Sequence, residues 1–278
     1  MTPAIETLVL FGGSLLAGCL GALTGLGGGV VIVSMLVLGF GVDLRYAIGA
    51  SLVAVIATSC GSAAAYLREG YTNTRVAMLL EVATTAGALA GAMLAAHLRS
   101  EVLAYIFAAV VFWSAWNALR DPPQTSGDET PDAFSERFRL DGTYPTPTGP
   151  KPYRVHRVPA AMVVMLFAGA LSALVGIGSG VVKVFAMDRL MRLPFKVSTT
   201  TSNLMIGVTA SASAGVYLHR GQLEPSLCAP VALGAMGGAL VGTKILAKAR
   251  VRWLRVIFAI TVAASGAQLL IRALRGEV

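Results

Sequence analysis

Residues 17–33 read AGCLGALTGLGGGVVIV, and residues 168–184 read AGALSALVGIGSGVVKV. Laid on each other without a gap, 11 of the 17 positions are identical. The same offset of 151 superposes Thr58, Ser62, Tyr66, Leu67 and Gly70 on Thr209, Ser213, Tyr217, Leu218 and Gly221. Chance agreement in a chain this rich in Ala, Gly and Leu is about 10%. The chain therefore carries two copies of one unit, each strongly apolar, as duplicated membrane transporters do.

Composition points the same way. Hydrophobic residues make up 55% of the 278 positions and charged ones 13%, with a mean hydropathy of +0.72. A water-soluble fold could not hide that much apolar surface, so lipid is the expected solvent. The net charge of +8 does not indicate nucleic acid. Its basic residues sit in short loops between apolar runs with few aromatics among them, which is the positive-inside pattern. Cys19, Cys60 and Cys228 are odd in number, lie in apolar segments and show no CxxC spacing. Neither a disulfide framework nor a metal site is expected, and no cofactor. The first residues lack the basic segment of a secretory signal, so the first helix is expected to be retained.

Each copy repeats one order of elements. In the first (1–120), an apolar run over 8–23 meets the glycines of 25–29, then a short run over 30–40, then longer runs over 46–67, 76–98 and 102–119. In the second (158–278) the runs are 160–175, the break 176–180, then 181–187, 197–218, 227–247 and 254–271. A run such as 30–40 covers only about 16 Å, too short to span. Residues 121–157 are Pro-rich and polar and read as an extended linker outside the membrane. Within it, 137–144 and 153–158 are expected to pair as a hairpin.

The basic residues test the topology. If each copy were four plain spans, the linker and the loop 248–255 would face opposite sides, yet both are basic. If each copy is a glycine-broken helical hairpin plus three spanning helices, the two copies insert upside-down to one another. The linker, loop 248–255, the loop with Arg189, Arg192 and Lys196, and the Arg68–Arg75 loop then share the cytoplasmic side. Arg45, Arg99, Arg220, Arg272 and Arg275 stay outside, as do both termini. The expected fold class is thus all-α, a polytopic integral membrane protein of two inverted repeats.

The glycine clusters are the first functional candidates. Gly25, Gly27, Gly28 and Gly29 in copy one, and Gly176, Gly178, Ser179 and Gly180 in copy two, let the backbone leave the helix. The N-terminus of the half-helix that follows attracts an anion. The same residues also suit tight helix packing, and both readings stand at this point. The motif lacks the third glycine of a dinucleotide fingerprint and no Walker motif is present. Ser51, Ser202 and Asn203 add neutral donors that hold an anion loosely enough to release it. Ser198 and Thr199 read better as capping residues. Two intramembrane charges cost free energy to insert and call for a reason. Lys183 stands where copy one has Ile32, and it either serves the anion, acts as a switch, or snorkels to the interface. Glu81 stands where copy two has Ala232, and it either carries a coupling proton or pairs with an arginine.

The segments GALTGLGGGVVIVSML (21–36) and SALVGIGSGVVKVFAM (172–187) resemble the paired signatures of the TauE/SafE sulfite-exporter family. RYAIGAS (45–51) and KVSTTTSN (196–203) resemble its second signature, a basic residue before a run of small ones, and residues 66–70 and 217–221 resemble the segment that closes that helix. The resemblance covers nearly all of the chain outside 121–157. It implies a multi-pass inner-membrane permease for sulfite or organosulfonates, outward in direction and driven by an ion gradient. The run Thr199–Thr201 and the charge at Lys183 depart from the pattern. The expected partners are a small anion, the bilayer and a coupling proton or ion, with no nucleic acid. The rival readings are a channel-like anion conduit and a membrane-embedded scaffold or enzyme subunit. A catalytic site is not expected.

Overall fold

The computed structural model describes residues 3–24, 27–119, 133–146, 149–176 and 178–246, together with 260, 263–264, 266–268 and 270–271. Expectations placed on Gly25, on 121–132, on the basic loop 248–255, on most of the run 254–271 and on Arg272 and Arg275 lie outside the described residues.

Copy one folds as α1 (Pro3–Thr24), a short α2 (Gly29–Ser34) that runs on as a π-helical turn (Met35–Gly39), α3 (Leu44–Arg68), α4 (Thr74–Ala95) and α5 (Ser100–Leu119). The linker holds α6 (Ala133–Phe138) and a hairpin of β1 (Gly142–Thr146) and β2 (Gly149–Tyr153). Copy two repeats the order with α7 (Val158–Val175), α8 (Gly180–Phe185) with its own π-helical turn (Ala186–Leu190), α9 (Phe195–His219) and α10 (Pro225–Leu246). Asp43 starts α3 by accepting from the Arg45 amide at 2.9 Å, and Asn73 starts α4 by accepting from the Val76 amide at 3.0 Å. Such caps satisfy amides that the first turn leaves open.

Among the described residues five helices, α1, α3, α4, α7 and α10, are long and apolar enough to cross a membrane. Helix α9 equals α3 in length, 25 residues, but its hydroxyls keep it out of that set. Those hydroxyls are turned inward: Ser198 to Asn203 are all buried. The outer surface instead exposes Leu8, Leu16, Met78, Val82 and Phe167, a belt suited to lipid.

The copies interlock through reciprocal contacts. Helix α1 lies along α10 and α4 along α7. Gly18 meets the backbone of Ala235, and its counterpart Gly169 meets that of Thr84. Likewise Gly238 meets Leu15, and Gly87 meets Leu166. A methyl at Gly87, Gly169 or Gly238 would stand 1.9 Å from a carbonyl oxygen. These helices touch backbone to backbone, as small residues permit in lipid. The equivalent helices α3 and α9 cross at the centre and run antiparallel. Gly49, early in α3, lies against Gln222 and Leu223 just after α9. The Asn73 amide, just after α3, donates to Thr201 early in α9 at 3.0 Å.

Basic segments gather at one end of the bundle. There Arg75 donates to the Arg139 carbonyl at 3.0 Å, Lys196 stands 5.2 Å over the Tyr71 ring, and the His156 amide donates to Met191. At the other end Arg45 donates to the Leu98 carbonyl at 2.8 Å and Arg220 to that of Ala92 at 2.7 Å.

The linker differs from expectation in two respects. The hairpin pairs Gly142 with Tyr153 and Thr146 with Gly149, while Ala133–Phe138 is helical and Val158 already opens α7. The linker is also docked rather than free. Leu140 and Val155 are buried in one cluster with Val76, Leu80, Val158 and Met191, and Phe134, Tyr144 and Tyr153 pack against it.

Candidate functional site

Both copies leave the helix where the glycines predict. Gly27 and Gly28 hold φ of 77° and 70°, and Gly176 and Gly178 hold 70° and 77°. Ser179 takes φ 46° where copy one has Gly28. A side chain in that left-handed region costs about 1–2 kcal/mol, and such strain collects where function over-determines the backbone. Helices α2 and α8 then start at Gly29 and Gly180, each running back along the helix before it. Gly28 lies at Ala17 while Met35 reaches Gly13. Each short helix and its π-helical turn therefore form the returning arm of a hairpin.

The two breaks meet. A methyl on either Gly27 or Gly178 would touch both Val55, in the middle of α3, and its counterpart Ile206 in α9. The Ser51 hydroxyl donates to the Gly176 carbonyl at 2.7 Å and lies 3.1 Å from that of Gly29, bridging the copies. Its counterpart Ser202 donates to Gly180 at 3.4 Å, and Thr58 to Gly27 at 3.2 Å. Ser59 donates to the Asn203 carbonyl. The chain thus brings Gly27, Gly28, Gly29, Ser51, Gly176, Gly178, Ser179, Gly180, Ser202 and Asn203 into one buried region.

Their side chains are not equivalent there. A hydroxyl has one proton, and those of Ser51 and Ser202 are spent on backbone carbonyls of the breaks. The Ser179 hydroxyl and the Asn203 amide nitrogen are buried and have no hydrogen-bond partner among the described residues. The Thr199 hydroxyl is in the same state. Thr199 is not the cap it resembles in sequence, since Pro194 holds that position. It lies one turn before Asn203 on the same face of α9, and that spacing of four was the signal to read. Leaving such donors buried and unmet costs about 1–3 kcal/mol each, so a polar guest is the natural complement. The matching positions of α3 are Ile48 and Leu52, which makes the polar lining a property of copy two.

The charges form a separate cluster between α8, α9 and α4. Lys183 is fully buried and does not snorkel. Its ammonium donates to the Thr209 hydroxyl at 2.5 Å, and Thr209 donates to Glu81 Oε1 at 2.6 Å. Lys183 Nζ is 3.9 Å from Glu81 Oε2. The partner of Glu81 is therefore a lysine from the other copy, not an arginine.

A lipid-facing bundle whose two broken helices meet at a buried polar region has the build of a membrane transporter. The chain belongs to the sulfite exporter TauE/SafE family, whose model matches residues 10–269. It is 25% identical over 271 residues to the probable membrane transporter protein YunE of Bacillus subtilis (strain 168), covering 95% of this chain and 96% of that one. It is 26% identical over 238 residues to the probable membrane transporter protein YdhB of the same organism, covering 85% and 87%. No solved structure matches the chain. It is a multi-pass membrane transporter.

Proposed function

We propose that this transporter is a secondary permease of the inner membrane for a small sulfur-containing anion, sulfite or an organosulfonate, held mid-membrane between the two helix breaks. The observation that carries the reading is the set of buried, unmet donors on Ser179, Thr199 and Asn203, beside helix starts whose first amides lack intrahelical acceptors. Among the described residues no carboxylate interrupts that lining, and neutral donors suit a tetrahedral or pyramidal oxyanion that must also leave. The family description names sulfite, which favours sulfur oxyanions over other anions.

Inverted insertion of the two copies supports alternating access, in which one bundle rocks against the other around a fixed site. The antiparallel course of α3 and α9 and the reciprocal seams α1–α10 and α4–α7 favour that arrangement. The crowding of arginine and lysine at the linker end favours a cytoplasmic linker. Outward movement rests on the family resemblance.

The test is ligand binding to the purified protein with sulfite, thiosulfate, sulfoacetate and taurine, followed by counterflow in proteoliposomes. Saturable counterflow of one of the anions is expected, and Asn203→Ala should weaken it at least tenfold while inserting normally. Undiminished flux in N203A removes Asn203 from the site, and unsaturable flux favours a conduit.

A further inference from the structure

The two copies differ at one buried spot in a way that changes charge. Lys183 and Thr209 of copy two meet Glu81 of copy one, and the equivalent positions are Ile32 and Thr58 of copy one and Ala232 of copy two. The three touch in sequence: ammonium to hydroxyl at 2.5 Å, hydroxyl to Glu81 Oε1 at 2.6 Å, and Nζ to Oε2 at 3.9 Å. Thr85 lies 3.3 Å from Oε1, while Oε2 is buried and accepts no hydrogen bond among the described residues. An ion pair is a poor device for stability in such a place, because an apolar pair of similar volume serves as well or better. The equivalent positions, Ile32 and Ala232, are both apolar.

We infer that this trio is the transporter's proton site, and that it couples the anion to the proton gradient with one proton per cycle. The inference rests on the anion-permease reading above. With Glu81 ionised, the pair carries no net charge. A proton taken from water on the open side binds Glu81 Oε2 and leaves the Lys183 charge unbalanced; on the other side it returns to water. Lys183 is one turn along α8 from Ser179, its amide bonded to the Ser179 carbonyl at 3.1 Å. At a separation of about 10 Å and an effective dielectric constant near 20, a positive charge strengthens anion binding about tenfold. Linkage makes the anion favour the proton by the same factor. Proton and anion therefore travel together, and a monovalent anion crosses electroneutrally. Such a carrier exports only while the outward anion gradient exceeds the inward proton gradient.

No other titratable group described competes for this role. Helix α7 carries none, and α5, which packs against α8, carries Glu101, paired with Arg99, and the exposed Tyr105. Helix α9 carries Lys196, Tyr217 and His219, all near its ends, and α4 carries besides Glu81 only Arg75, which reaches Arg139. Asp188 and Arg189 lie more than a turn beyond Lys183. The linker residues packed at the start of α4 include Asp141 and Tyr153, which bond the Val155 amide and Asn73.

The test uses the full chain in proteoliposomes with labelled methanesulfonate, an anion that stays fully ionised from about pH 6 to about pH 8 and so isolates the protein's own titration. Wild type should accumulate it when the outside is acidified, with an affinity that rises, by up to about tenfold, as the outside pH falls. Glu81→Gln fixes the unbalanced charge: exchange of internal for external anion should persist, while acid-driven accumulation and the pH dependence of affinity disappear. The double variant E81A/K183I installs the apolar residues of the equivalent positions, Ala232 and Ile32, and should fold. It should exchange about tenfold more weakly at low pH and ignore the proton gradient. Accumulation that survives in E81Q or in the double variant overturns the proton site, as does wild-type exchange indifferent to the gradient. Absence of any anion exchange in wild type overturns the permease reading and this inference with it.

Discussion

Gly27 and Gly178, equivalent residues of the two copies, rest on the same two side chains, Val55 and Ile206. Both hold φ 77°, but they are not equally crowded. A methyl on Gly27 would stand 3.4 Å from both neighbours. On Gly178 it would stand 2.8 Å from Ile206 and 3.0 Å from Val55. Either alanine pays the left-handed cost of about 1–2 kcal/mol, and only Gly178→Ala adds a clash. G178A should therefore lose more thermal stability in detergent, and more flux, than G27A. Shortening the neighbour in a G178A/I206A double variant should recover part of the difference, a coupling that a double-mutant cycle measures.

Ser51 and Asn203 should separate stability from binding. The Ser51 hydroxyl donates to the Gly176 carbonyl and lies beside that of Gly29, so Ser51→Ala leaves a buried acceptor short of a donor. We expect a loss of about 1–3 kcal/mol, seen as a lower melting temperature with or without anion. The Asn203 amide nitrogen has no partner to lose. N203A should melt close to wild type without ligand and fail to gain stability when sulfite is added. Equal melting curves for S51A and wild type would remove the clamp.

Much of this was legible in the sequence because duplication and glycine are both local signals. The repeat gave the order of elements, and Gly27 and Gly178 gave the breaks, since few other residues adopt their backbone. The short run after each break was too brief to span, and α2 and α8 with their π-helical turns are that brief. What the sequence could not supply was pairing across the copies. Lys183 and Glu81 sit 102 positions apart (183 − 81), and no periodicity links α8 to α4. Thr199 looked like a cap because caps and ligands use the same hydroxyl. The observed hairpin register, Gly142 opposite Tyr153 and Thr146 opposite Gly149, differs from the expected one because Pro145, Pro150 and Pro152 blur strand propensity.

The seams between copies predict where alanine is tolerated. Gly169 and Gly238 pack against carbonyl oxygens at distances no methyl can share, whereas Gly215 in α9 and Gly237 in α10 have nothing within 4 Å of a built methyl. Gly169→Ala and Gly238→Ala should wedge α4 from α7 and α10 from α1, lowering the yield of monodisperse protein in detergent. Gly215→Ala and Gly237→Ala should be neutral or gain up to about 1 kcal/mol from helix propensity. A uniform response of all four would contradict the close approach of these helices.

Asn73 ties the linker to the bundle, and the tie should be visible in a titration. Its side chain caps α4 and donates to the Leu140 carbonyl and to the Tyr153 hydroxyl, both at 2.8 Å. Burial pushes the Tyr153 phenol above the ordinary tyrosine range, the nearby Asp141 charge adds to the rise, and the Asn73 donor pulls against it. A phenol raised on folding contributes stability that is complete below about pH 10, the unfolded value, and that fades as pH climbs through the folded value. The tyrosinate absorbance of wild type minus that of Tyr153→Phe should accordingly show one phenol ionising above about pH 10. Asn73→Ala should move that midpoint higher still, because it removes the one contact that favours the anion, and should also cost about 1 kcal/mol as a lost cap. A midpoint at or below the ordinary value would mean that the hairpin does not stay seated on the bundle in solution.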